Sequence, residues 1–153
     1  MSAPRTQIPR IVVGVDGSAP SLDALRWAIR QAEVTGGTLD AVMAWQYPVA
    51  IGGLGWAPAA GMDDIDYAAL AAQALAEAID AVEIPDQVHV RQVVLEGNAA
   101  QALLDSAKDA DLLVVGNRGH GGFTDALIGS VSSRCVHHAH CPVVVVHATP
   151  AQA

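Results

Sequence analysis

The chain has 153 residues, enough for a single domain with a substantial core, and 52% of them are hydrophobic against 16% charged. Its formal net charge of −8 argues against a general nucleic-acid binder, because phosphate backbones require clustered basic residues. No apolar run approaches the ~20 residues of a membrane-spanning helix, and the N-terminal segment lacks the apolar middle of a secretory signal. We therefore expect a cytoplasmic protein that does not insert into membranes.

Strand and helix signals alternate along the first half of the chain. Residues 11–16, IVVGVD, form a short β-branched run typical of a strand buried on both faces. Ser18 or Ser21 is expected to cap the helix that follows. A second strand is predicted over residues 38–45, and the Gly- and Pro-rich segment 46–64 is predicted to be a long loop.

The alternation continues in the second half. Asp63 or Asp64 is predicted to cap a second helix. Five residues at helical spacing are predicted to form its buried face: Tyr67, Ala71, Ala74, Ala78 and Val82. A third strand over residues 88–97 is polar enough for a sheet edge, and Asn98 is expected to cap a third helix over residues 99–109.

A fourth strand (111–117), a fourth helix (130–138) and a fifth strand (141–147) complete a βαβαβαβαβ pattern. Helical crossovers between strands imply a five-stranded parallel sheet with helices on both faces, which is a Rossmann-like α/β fold. We expect one domain over residues 10–148, preceded by a flexible tail over residues 1–9.

The segment GNRGHGGFTDALIGS, residues 116–130, places five glycines between the fourth strand and the fourth helix. Glycines let several backbone N–H groups turn toward one anion, and a helix that begins directly afterwards adds the positive end of its dipole. In such sheets ligands bind at the carboxyl ends of strands, where Asp16 and Gly116 both lie. The segment therefore predicts a phosphate site, in which Gly116→Ala is expected to weaken binding while the fold survives.

The glycine segment is neither a Walker loop nor a dinucleotide fingerprint, since it has no lysine and does not follow the first strand. Its spacing is G-x2-G-x9-G-S, formed by Gly116, Gly119, Gly129 and Ser130. Together with the opening VGVDGS, this spacing resembles the ATP-binding branch of the universal stress protein family over nearly the whole chain. The resemblance implies a strand order of 3-2-1-4-5. It also implies a homodimer in which the last strands, Val143–Val146, pair antiparallel.

Carried over residue by residue, the resemblance implies that Asp16 lies beside the ribose and phosphates. It implies that the backbone of Ala44, near the end of the second strand, meets adenine. The residues implied for the phosphate loop are Gly116, Gly119, Gly129 and Ser130, continued by Ser132. The expected ligand is ATP, alone or with Mg²⁺, and we expect no catalytic residue and no metal held by protein side chains.

Three further features each have two interpretations. Arg118 either binds a phosphate or is a solvated loop residue. Trp45 and Trp56 either cover an adenine or pack locally. The segment CVHHAHC, residues 135–141, either holds a metal through Cys and His or places histidines at a helix end, where the dipole favours positive charge. The second is preferred, because successive helix residues point in different directions.

These observations together predict a regulatory stress-response protein that binds an adenine nucleotide as a homodimer. A slow ATP hydrolase is the alternative from another class, and a sensor that prefers AMP or a cyclic nucleotide is a second alternative. A third is an empty fold used for protein interaction. The segment has no Lys or Gln to stabilise phosphoryl transfer or to orient an attacking water, which favours binding over fast catalysis.

Overall fold

The computed structural model of the chain describes residues 7–47, 49–52, 55–58, 65–118 and 128–147. These residues form, in chain order, β1 (Arg10–Gly14), α1 (Ala19–Thr35), β2 (Thr38–Trp45), β3 (Val49–Gly52), β4 (Gly55–Pro58), α2 (Tyr67–Asp80), β5 (Val90–Glu96), α3 (Ala99–Ser106), β6 (Leu112–Gly116), α4 (Ser130–His138) and β7 (Val143–Val146). None of the described helices has the length and apolar character that crossing a membrane requires.

Five of the strands form one parallel sheet in the order β5-β2-β1-β6-β7. Leaving β3 and β4 aside, this is the order 3-2-1-4-5 along the chain, and the predicted fold class is confirmed. Helices α1 and α2 pack on one face of the sheet, and α3 and α4 pack on the other. The strand order reverses between β1 and β6, which is where such sheets bind ligands.

The central strands are buried because helices cover both of their faces. Along β1 successive residues point to opposite layers, so Ile11 and Val13 face the helices α1 and α2 whereas Val12 faces α3 and α4. In β6, Leu113 and Val114 divide between the two layers in the same way. The aliphatic runs of the sequence thus supply both cores of a doubly covered sheet.

The structure confirms the predicted N-cap residue for two of the three helices whose caps were predicted. Ser18 caps α1 and Asn98 caps α3, each through a side-chain oxygen that accepts a first-turn N–H. The cap of α2 is Asp66, whose Oδ1 accepts a backbone N–H at 3.0 Å. The prediction of Asp63 or Asp64 is therefore wrong, because the helix begins two to three residues later than expected.

Three further predictions need correction. Segment 46–64 is not a plain loop, because it contains β3 and β4, which pair as an antiparallel hairpin. The first strand ends at Gly14 rather than at Asp16. On α2, Ala74 is exposed, and the buried face is formed by Ala71, Leu75, Ala78 and Ile79. Small alanines on every side of this helix make its hydrophobic period a weak guide to its buried face.

The amino end of the sheet holds a buried carboxylate. Asp40 of β2 is 4% exposed and accepts hydrogen bonds from Arg10 (Nε at 3.0 Å) and from Arg91 (Nε at 3.0 Å, Nη2 at 2.6 Å). Burial raises the pKa of the Asp40 carboxyl. The hydrogen bonds from Arg91 and Arg10, with their charges, outweigh burial and hold this pKa below its ordinary value of 3.8. The cluster lies at the sheet end opposite the glycine segment, so we assign it to stability.

We expect Asp40→Asn to lower the free energy of unfolding at neutral pH by about 1–2 kcal/mol, because both guanidinium groups lose a charged acceptor. The figure is modest because the Arg91 side chain is 67% exposed. Since the pKa of Asp40 is lower in the folded state, its contribution is complete above about pH 4 and is lost as the pH falls through the folded value. Urea unfolding of both proteins across this range measures the difference, and a difference independent of pH would contradict the assignment.

Candidate functional site

A cleft opens at the carboxyl ends of β1, β2 and β6, where the strand order reverses. Helices α1, α3 and α4 contribute the remaining walls. The lining residues are Gly14, Val15, Asp16, Ser21, Val42, Ala44, Ala99, Leu103, Val115, Gly116, Arg118, Val131 and Ser132. Four of the seven predicted site residues are among them, namely Asp16, Ala44, Gly116 and Ser132. Gly119 lies outside the described residues.

Asp16 leads from β1 into the first turn of α1. Its Oδ1 accepts hydrogen bonds from the backbone N–H of Ser18 at 2.9 Å and from the Ser18 hydroxyl. Its own N–H donates to Oγ of Ser21 at 3.2 Å, and Gly17 adopts the left-handed φ of 82° that the turn requires. The local turn thus orients the Asp16 carboxylate at the edge of the cleft, so the turn-forming role and a ligand-binding role are compatible.

Gly116 ends β6 and is buried against the first turn of α1. A Cβ at this position would lie 2.8 Å from both the carbonyl carbon and the carbonyl oxygen of Pro20. Among the described residues, positive φ occurs at Gly17, Gly36 and Gly97 and not at Gly116. Glycine is therefore required here for the packing of helix against strand. The fold is still expected to survive Gly116→Ala, but with a loss of stability that the sequence alone does not predict.

Helix α4 begins beside the cleft and is attached to the end of β6. The buried hydroxyl of Ser132 donates to the carbonyl oxygen of Gly116, and the N–H of Gly129 donates to the carbonyl oxygen of Asn117 at 2.6 Å. Ser130, the first helical residue, is exposed. Side-chain caps start α1, α2 and α3, but α4 has none in the described part of the chain. The N–H groups of its first turn are left for another acceptor.

Arg118 follows β6 by two residues and lines the cleft. Its Nε is buried and has no hydrogen-bond partner within the part of the chain that the structure describes. The buried Nε and the position in the cleft favour the interpretation of Arg118 as a ligand-binding residue over that of a solvated loop residue. The side-chain oxygen of the preceding residue, Asn117, is likewise buried without a partner there.

Aromatic rings pack together beside the end of β2. The ring of Trp45 lies 5.1 Å from that of Tyr47 in an edge arrangement and 6.4 Å from that of Tyr67 in a stacked one. These contacts support local packing for Trp45 rather than a ring held open for adenine. The side chain of Trp56 lies outside the described residues.

The Cys- and His-containing segment 135–141 divides between core and surface. Cys135 is fully buried between α4 and the sheet, and this burial raises the pKa of its thiol to about 11. His137 and His138 are exposed in the last turn of α4. Their positions agree with the helix-end interpretation, and within the described part of the chain no three Cys, His, Asp or Glu side chains are grouped closely enough to hold a metal ion.

Sequence reasoning did not identify several residues of the cleft. Ser21 has a partial signal as the second serine of DGSAPS, but that pattern predicts only a helix cap. Leu103 and Val131 come from helix positions that resemble any other core position, so nothing in their spacing distinguishes them. They supply an apolar wall, which suits the flat face of a base.

Comparison with known proteins agrees with this architecture. The family model described as the universal stress protein family matches residues 7–147. The universal stress protein Rv2623 of Mycobacterium tuberculosis is 37% identical over 152 residues, covering 90% of this chain and 47% of that protein. The chain thus spans about half the length of the curated relatives that it matches.

Two solved structures have similar folds. A universal stress protein in complex with cAMP is 28% identical, with a TM-score of 0.60, covering 93% of this chain and 98% of that one. The universal stress protein UspA from Lactobacillus plantarum is 22% identical, with a TM-score of 0.69, covering 93% and 99%. The sheet order, the cleft at its reversal and the family match over residues 7–147 establish that the chain belongs to the universal stress protein family.

Proposed function

We propose that this chain binds an adenine nucleotide in the cleft at the end of β1, β2 and β6, with ATP as the first candidate. The observation that carries the proposal is the convergence of Asp16, Ala44, Gly116 and Ser132 with the start of α4, whose first turn has no side-chain cap in the described residues. Such a helix start favours an anion through its free N–H groups and its dipole.

Each predicted residue has a role in this proposal. The backbone of Ala44 meets adenine beside the apolar wall of the cleft, and the Asp16 carboxylate holds a ribose hydroxyl or a phosphate-bound Mg²⁺. Gly116, Gly119, Gly129 and Ser130 form the phosphate loop. Ser132 acts by attaching α4 to the carbonyl of Gly116. A bound Mg²⁺ would neutralise part of the phosphate charge, which matters in a chain of net charge −8.

A mononucleotide is the second candidate ligand. The solved relative that is 28% identical is described as a complex with cAMP, which supports an adenosine ligand with one phosphate. ATP and cAMP share adenine, ribose and a charged phosphoryl group, so the same cleft elements serve both. We propose a regulatory binding role in a stress response, in the cytoplasm and without nucleic acid as a partner.

Nucleotide analysis of the purified protein tests the proposal. We expect mass spectrometry of the denatured protein to release an adenine nucleotide, or calorimetry to detect binding when ATP, AMP or cAMP is added. The nucleotide that is released or bound most tightly identifies the ligand. Absence of all three, in both measurements, would overturn the proposed function. Incubation with ATP separates a binder from a slow hydrolase, because only the hydrolase produces ADP.

A homodimer through β7 is the proposed assembly. β7 lies at one edge of the sheet and pairs with β6 alone among the described strands. Its four valines, Val143–Val146, are half-buried. An apolar edge strand with open backbone groups favours pairing with a second strand, and a second copy of the chain offers the same edge.

A further inference from the structure

We infer that Arg118 binds a phosphoryl group of the ligand and makes the cleft selective for adenine nucleotides over adenosine. The inference rests on the proposed function and adds a residue and a selectivity to it. It starts from the buried Nε of Arg118, which has no hydrogen-bond partner within the described residues although the side chain lines the cleft.

A buried donor without an acceptor is unfavourable, and native structures pair nearly all such groups. A ligand that brings an acceptor into the cleft therefore gains the hydrogen bond and removes the unfavourable state. A phosphate oxygen is the best match, because a guanidinium group offers several donors in a plane and a charged acceptor makes the bonds stronger. Adenosine has neutral acceptors only.

The charges of the cleft support the same conclusion. Among the described lining residues, Arg118 is the one cation and Asp16 the one anion, and the others are apolar or small. The whole chain carries a net charge of −8, so it repels an anionic ligand at long range. A cation inside the cleft therefore favours the phosphoryl end, in addition to the backbone N–H groups.

The backbone around Arg118 places it near the start of the predicted phosphate loop, between Gly116 and Gly119. The N–H of Asn117 donates to the carbonyl oxygen of Val146 at 2.9 Å, and its carbonyl accepts the N–H of Gly129 at 2.6 Å. Asn117 is thereby held between β7 and the start of α4, and Arg118 is the next residue. The guanidinium group and the first turn of α4 are thus supplied by adjoining parts of the structure.

Calorimetric titration of wild type, Arg118→Gln and Arg118→Lys with ATP, AMP, cAMP and adenosine tests the inference. We expect Arg118→Gln to weaken binding of the three phosphate-bearing ligands by about 10- to 100-fold, the usual effect of a charge-assisted hydrogen bond. Adenosine binding should stay unchanged. Arg118→Lys should recover part of the affinity, because an ammonium keeps the charge but lacks the planar donors.

Arg30→Gln is the matched control. It removes one positive charge from an exposed position of α1 that is not among the cleft residues, so it should leave every affinity unchanged. Equal losses for adenosine and ATP in Arg118→Gln would show a structural role and overturn the inference, as would no loss at all. If wild type binds none of the four ligands, the proposed function itself fails. If wild type binds the nucleotides but Arg118→Gln shows no selective loss, only the inference about Arg118 fails.

Discussion

Gly116→Ala is expected to destabilise the protein and to weaken nucleotide binding at the same time. Its new Cβ would lie 2.8 Å from the backbone of Pro20, so the first turn of α1 must move away from β6. Such overpacking costs about 1–3 kcal/mol, and the lower entropy of the unfolded chain offsets about 0.4–1 kcal/mol of it. Urea unfolding should show a net loss of about 1–2 kcal/mol.

Binding should fall in Gly116→Ala because the displaced turn contains the hydrogen bond between Asp16 and Ser21. Gly14→Ala is the matched control for stability, since its Cβ would meet only the flexible side chain of Leu103, with Cδ1 at 2.8 Å and Cδ2 at 3.2 Å. It should change stability by less than about 0.5 kcal/mol. Weakened binding in Gly116→Ala with unchanged stability would instead favour a direct need for glycine beside the phosphate.

This glycine shows where sequence reasoning succeeded and where it did not. The position of Gly116 at the edge of a ligand cleft was predictable from the strand before it and the helix after it. The reason for glycine was not predictable, because the atoms that exclude a side chain belong to Pro20, 96 positions earlier in the chain. Spacing within one segment carries no information about such a distant neighbour.

Regular elements with a strong hydrophobic pattern were predicted well. The bounds predicted for β2 and α4 are those of the structure, because Gly36 and Gly37 end the preceding helix just before β2 and Gly129 directly precedes α4. The start of α2 was wrong because DDID offers three aspartates of equal capping ability. Burial of Leu75 and Ile79 against the sheet decides among them, and that burial is a tertiary effect.

The hairpin of β3 and β4 was missed for a different reason. Two four-residue segments separated by two residues have the spacing of a β-hairpin. The abundance of glycine, proline and alanine in this segment lowers strand propensity. The composition therefore predicts a loop, although the spacing fits a hairpin. Likewise, the buried Nε of Arg118, which has no hydrogen-bond partner among the described residues, could not be identified without the three-dimensional surroundings.

Val145→Pro is expected to convert the proposed dimer into monomers while each protomer stays folded. The carbonyl oxygens of Pro142 and Val146 accept N–H groups of Leu113 and Asn117, so these residues face β6. Because successive residues of a strand direct their backbone groups to opposite edges, Val145 directs its N–H to the open edge of the sheet. Proline there removes a donor that a partner strand would use, but none that β6 uses.

Sedimentation velocity measures the outcome against the protomer mass of 15.7 kDa. We expect twice this mass for wild type and for Val145→Ala, which keeps the N–H but shortens the side chain. Val145→Pro should sediment as a single protomer with an unchanged far-ultraviolet circular dichroism spectrum. Dimers of Val145→Pro, or a monomeric wild type, would exclude pairing through β7. Because the N–H of Asn117, the residue before Arg118, donates to the carbonyl oxygen of Val146 at the end of β7, loss of the dimer is also expected to weaken ATP binding severalfold.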